Sequence, residues 1–151
     1  VNSDVATLEE LLAEGFEAQA DCYRQAVELL SEWLTTPKQD LQELVAVLEQ
    51  QQRLVNQATE IDETLAEARA RWQQTRGANK PGPRLQRALD RLRQTIDRLI
   101  GLNDVLRTQA MQARDQVRAE LDRLSTGEKA SRAYGRRSAE RAAVSRARRH
   151  R

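Results

Sequence analysis

The chain is poor in most of what a catalytic or disulfide-stapled domain needs. Its 151 residues hold one Cys, one His, three Pro and five aromatic side chains: Phe16, Tyr23, Trp33, Trp72 and Tyr134. A single cysteine, Cys22, excludes an intramolecular disulfide and suits a reducing compartment. Cys22 sits beside an apolar stripe with no His near it in sequence, so it reads as a small core residue rather than a nucleophile. The one histidine, His150, is penultimate and has no Cys or carboxylate cluster beside it, which argues against metal ligation or acid–base work there. No run of 18 apolar residues exists to span a membrane, and no basic flank leads an apolar core at the N-terminus. Val, Ile and Thr never alternate with polar residues, so no strand is expected. These absences leave no candidate catalytic, cofactor or metal residue. The chain is expected to be cytoplasmic, without membrane insertion, and not an enzyme.

What the sequence does have is helical periodicity. Over 85–124, Leu89, Ile96, Asn103, Ala110, Val117 and Leu124 fall seven apart, and Leu85, Leu92, Leu99, Leu106 and Ala113 form the interleaved set. A heptad seam of this length must lie against other helices. The first half of the chain supplies two. Val5, Leu8, Leu12, Phe16, Gln19, Tyr23, Leu30 and Trp33 give helix one a stripe over about 4–34, capped by Ser3 or by a Thr7/Glu10 capping box. Gly15 lies inside this stripe and implies close helix packing. Thr36, Pro37 and Gln39 read as N-cap, first turn and capping box of helix two, about 37–76. Leu41, Leu44, Leu48, Leu54, Ala58, Ile61, Leu65, Ala68 and Trp72 form its apolar set, with a stammer at Gln50, Gln51 and Gln52. Gly77 and Pro83 bound the clearest loop, and helix three follows over about 83–125. The spacing therefore predicts an all-α fold, an elongated antiparallel three-helix bundle or coiled coil over 1–127. A flexible Arg-rich tail is expected over 128–151.

Charge is unevenly spread. Residues 1–76 carry 15 acids against 6 bases, residues 77–127 carry 6 against 10, and residues 128–151 carry 2 against 9. The early arginines of helix three are expected to run beside Glu60, Asp62, Glu63 and Glu67 of helix two, choosing a register more than adding stability. Asn103, at a core-type position, is expected to fix register as a buried amide. The Arg-rich tail could neutralise phosphates, yet it has no aromatics interleaved after Tyr134 for base stacking, which argues against nucleic acid as the main partner. Helices two and three outrun helix one, so an apolar strip somewhere along the hairpin they form is expected to be exposed or paired with another molecule.

One family shares these features. The run Leu99-Ile100-Gly101-Leu102-Asn103-Asp104-Val105-Leu106 on a long helix, then Val117, Leu121 and Leu124, then a polar spacer and Ala133-Tyr134-Gly135, resembles the C-terminal half of the flagellar type III export chaperones. The FlgN kind is the nearer likeness and the FliT kind the close alternative. The resemblance implies a cytoplasmic chaperone that binds amphipathic terminal helices of hook-associated (hook–filament junction) proteins and delivers them to the export gate. It implies client binding by Leu102, Asn103, Leu106, Ala110, Ala113, Val117, Leu121 and Leu124, and contact of Tyr134 and Gly135 with the export-gate membrane protein. The family's tail after Tyr-Gly is polar, whereas here it is Arg-rich. Two other readings fit the same residues: a structural coiled-coil protein that self-associates, as a homodimer for example, or a nucleic-acid-associated helical protein acting through its tail.

Overall fold

In the computed structural model the described residues are 2–37 and 40–149, with side chains described over 4–37 and 40–148. They form three α-helices, α1 Asn2–Thr35, α2 Leu41–Arg76 and α3 Pro83–Arg149, and no strand. The chain divides into two units, Val1–Leu106 and Arg107–Arg151.

The first unit is an antiparallel three-helix bundle, and its core shows why. One cluster joins Leu12, Ala13 and Phe16 of α1 to Leu65, Ala68 and Trp72 of α2 and to Leu85 and Ala88 of α3. The other joins Ala26, Val27 and Leu30 to Leu54 and to Leu99, with Val47, Leu102 and Leu106 packed against it. Early α1 thus meets late α2 and early α3, so α2 runs opposite to both its neighbours. Gly15 lets α1 approach α2: a Cβ there would lie 2.3 Å from Leu65 Cδ1. The close packing expected of this glycine is present.

The turn between α1 and α2 differs from expectation. Thr36 does not cap α2; its N–H donates to the Trp33 carbonyl (3.1 Å) and its hydroxyl to the Glu32 carbonyl (2.7 Å), so it finishes α1. A hydroxyl engaged backwards is not free to cap forwards. Asp40 takes the role, its extended backbone (φ −94°, ψ 135°) turning Oδ1 to accept from Gln42 N–H at 3.1 Å. Gln39 of the expected capping box, the Ser3 side chain and His150 lie outside the described residues.

At the other end, Gly77 closes α2 with φ 60° and Pro83 opens α3, as the sequence predicts. The loop is held to α1 by one carboxylate. Glu9 accepts from the Trp72 indole N–H (3.1 Å) and from the Gly82 N–H (3.2 Å), just where α3 begins. The Arg76 guanidinium lies over the Trp72 ring, 4.4 Å from its centroid.

Helix α2 keeps one heptad phase throughout. Leu54, Ala58, Leu65, Ala68 and Trp72 are buried and Leu44, Val47, Gln51 and Ile61 are half-buried, all on one seam. There is no stammer. Gln51 occupies a core position, and its Nε2 donates to Asn103 Oδ1 at 3.1 Å. The two polar interruptions of the seams meet each other across the bundle. Leu41 and Leu48, expected in the core, are exposed because they fall beside the seam of Leu44, Val47 and Gln51 rather than on it.

The first arginine of α3 also chooses differently. Arg84 reaches Glu10 (3.4 Å) and Glu17 (3.5 Å) of α1, not the acids of late α2, and Asp62 is paired with Arg69 of its own helix.

The largest difference is in α3. It does not end near 125: Ser125, Thr126 and Gly127 are helical, and so are 128–149, the segment expected as a flexible tail. The Thr126 hydroxyl donates to the Asp122 carbonyl within the helix (2.8 Å). Gly127 costs about 1 kcal/mol relative to Ala and no proline follows it. Of the 22 residues from 128 to 149, 13 are Ala or Arg, both strong helix formers. Packing, in contrast, stops sooner than expected. Leu106 is the last residue of α3 that is even half-buried, so 107–127 belong to the second unit rather than to the bundle.

Candidate partner-binding surface

Helix α3 has one apolar face along its sequence. At about 3.6 residues per turn, Ala110, Ala113, Val117, Leu121 and Leu124 share an arc of about 80°, the same helical phase as Leu92, Leu99 and Leu106. In the first unit that phase is covered by α1 and α2. In the second unit the same phase is exposed: Val117 is 57% exposed, Leu121 59% and Leu124 65%. Isolated exposed aliphatics are ordinary, but five apolar residues in one arc form a strip.

The structure therefore divides the residues that the sequence nominates for client binding. Leu102, Asn103 and Leu106 serve the bundle, the first and last packed against the second core cluster and Asn103 bonded to Gln51. Ala110, Ala113, Val117, Leu121 and Leu124 stand free on the helical surface of the second unit. Tyr134 lies on the same helix and is 76% exposed; Gly135 is helical, and a Cβ there would meet nothing within 4 Å.

Sequence reasoning missed a second strip. Leu41, Val45 and Leu48 of α2 follow one another at i, i+4 and i+7 and are all exposed. The signal was available: counting by sevens from Trp72 back through Leu65, Ala58 and Gln51 leads to Leu44, which leaves Leu41 and Leu48 outside the seam.

Between the two core clusters lies an open groove of about 470 Å³, lined by residues that include Phe16, Gln19, Tyr23, Asp62, Arg69 and Leu92. Gln19 is buried; its Nε2 donates to the Ala58 carbonyl (3.0 Å) and its Oε1 has no partner among the described residues. Burial raises the Tyr23 hydroxyl above its ordinary range, with the Asp62 carboxylate adding to the shift. Burial likewise raises the Cys22 thiol, with Asp21 second, and so disfavours the thiolate a nucleophile would need. Among the described residues no three His, Cys, Asp or Glu side chains are grouped to hold a metal, and no helix is long and apolar enough to cross a membrane. The features that stand out are apolar strips and charge, which suit docking of another chain.

Comparison with protein-family models, curated proteins and solved structures gave no match.

Proposed function

We propose that this chain is a helix-receiving chaperone of the flagellar export kind, acting in the cytoplasm without catalysis. Its client would be the amphipathic terminal helices of hook-associated proteins. The observation that carries the reading is the exposure of Val117, Leu121 and Leu124 at the phase that Leu99 and Leu106 bury. An amphipathic client helix has the complementary need, since its own apolar stripe has no cover until it assembles. The strip 110–124 is the receiving surface in this reading, and Leu102, Asn103 and Leu106 support the helix that carries it. Tyr134, exposed beyond the strip, is the contact offered to the export gate, with Gly135 beside it.

The test is co-purification of the full chain with a hook-associated protein carrying its terminal helices. A stable complex is expected, lost in V117D/L121D/L124D while the bundle still melts as before. Tyr134→Ala is expected to keep the client and impair its delivery. A complex indifferent to the triple substitution would sink the assignment of the strip.

Self-association through the same strip is favoured by one further observation. Its apolar positions are spaced 3, 4, 4 and 3 residues, symmetric about Val117, with Ala110 and Ala113 on one side and Leu121 and Leu124 on the other. Two strips laid antiparallel would set each Ala against a Leu and Arg114 against Glu120. Light scattering separates the readings: a dimer that persists in excess client supports self-association, and a dimer displaced by client supports the chaperone.

A further inference from the structure

The last stretch of α3, residues 128–149, carries 8 bases and 2 acids and is helical. We propose that it binds B-form double-stranded DNA by lying in the major groove, largely without sequence preference. This inference uses residues outside the strip 110–124 and does not rest on the chaperone reading.

The arrangement of the bases carries the argument. On a helical wheel of about 100° per residue, Ser131, Tyr134, Ser138, Ala142 and Ser145 form a face about 80° wide that is rich in hydroxyls and, Tyr134 apart, small. Arg137, Arg141 and Arg148 flank it on one side and Arg132 and Arg146 on the other, while Arg136 falls toward the back of the helix. All six are exposed, and among the described residues only Arg132 has a carboxylate partner, Glu128 at 3.8 Å. The result is two cationic rails separated by a slender floor. A helix is about 10–12 Å wide with its side chains, and the major groove of B-DNA is about 12 Å wide with a phosphate strand on each edge. The 22 residues span about 33 Å, close to one duplex turn.

The same geometry excludes competing polyanions. Adsorption to an anionic membrane requires a bulky apolar face between the rails, and the only large apolar side chains here are Tyr134 and Val144, ten residues apart. Single strands are held by stacking on several aromatics, and one tyrosine does not provide that. The deep, narrow major groove of duplex RNA does not admit a helix. The objection that the tail lacks interleaved aromatics therefore applies to single strands alone. No Asn or Gln occurs in 128–149 to read adenine, so phosphate contacts dominate.

The experiment is fluorescence anisotropy of the full chain with a labelled mixed-sequence DNA duplex of about two turns, at salt from about 50 to 200 mM. Five neutralised phosphates predict a slope of log affinity on log salt of about −4.5, and a loss of about five hundredfold across that range. Removing one rail is expected to bring the slope to about −2 for R137A/R141A/R148A and, separately, to about −3 for R132A/R146A. Circular dichroism should show helicity retained, because Ala is a better helix former than Arg. No binding at about 50 mM salt, or a slope indifferent to both rail variants, overturns the proposal. So does equal affinity for duplex RNA, or retention on phosphatidylserine vesicles with the DNA left free.

Discussion

Two glycines inside helices show how one substitution can act in opposite directions. At Gly15 an added methyl would sit 2.3–2.9 Å from three carbons of Leu65, itself buried in the first core cluster. Overpacking of this kind costs about 1–3 kcal/mol, more than the helix propensity that alanine returns. Gly15→Ala is therefore expected to lower the urea midpoint. Gly101→Ala meets nothing within 4 Å and is expected to raise it, through a gain in stability of about 0.5–1 kcal/mol. Equal shifts in both variants would show that packing at Leu65 is slack. A second residue-level expectation concerns alkali. Cys22 and Tyr23 both titrate above their ordinary values of 9.0 and 10.0 because burial disfavours their charged forms. Their contribution to stability is complete below those values. It is lost as pH rises from about 9 through the folded-state values, because the unfolded chain then releases these protons first. Denaturation midpoints measured from pH 8 to 11 should fall, and less steeply in Cys22→Ala and Tyr23→Phe.

At the scale of helices, hydrophobic spacing marks where a helix is packed, not where it ends. The seam of α3 is legible as far as Leu124, and the fading of apolar residues beyond it points to a helix end that the structure does not have. The structure separates the two properties: burial stops at Leu106, while the helix runs to Arg149, held past Leu106 by backbone bonds, propensity and exposed side-chain contacts within the helix. Such a segment opens locally at little cost. Amide hydrogen exchange should be slow across 85–106 and fast across 107–149, and a chain ending at 106 should lose helical signal while keeping its thermal midpoint. Comparable protection in both segments would mean that 107–149 finds cover. The three helices, the Gly77–Pro83 loop and the close approach at Gly15 were legible because each rests on local chemistry. The phase of α2 was not, because Gln51 looked like a defect until its partner Asn103 was known to face it. The cap at Asp40 was hidden by a better-looking Thr-Pro motif, whose hydroxyl turns back to Glu32. The candidate strip was legible as a stripe. Which part the bundle would consume was not, because that depends on where α1 and α2 stop.

For the whole molecule, the division of the bundle's core into two clusters with a groove between them raises the question of how many times the protein melts. Each cluster spans all three helices and each helix passes through both, so loss of one strips partners from the other. One cooperative transition is expected. The tryptophans are placed to decide it. Trp72, hydrogen-bonded to Glu9 and covered by Arg76, belongs to one cluster, while Trp33 is buried in the last turn of α1, far along the bundle from it. Trp33→Phe and Trp72→Phe would each leave a single indole at a known end. Coincident emission curves would establish a bundle that opens as a unit, and separated curves one that frays from a preferred end. The clamp on Trp72 thus doubles as a built-in optical gauge: any partner that pries α1 from the loop must first dim or shift a colour that the protein already displays.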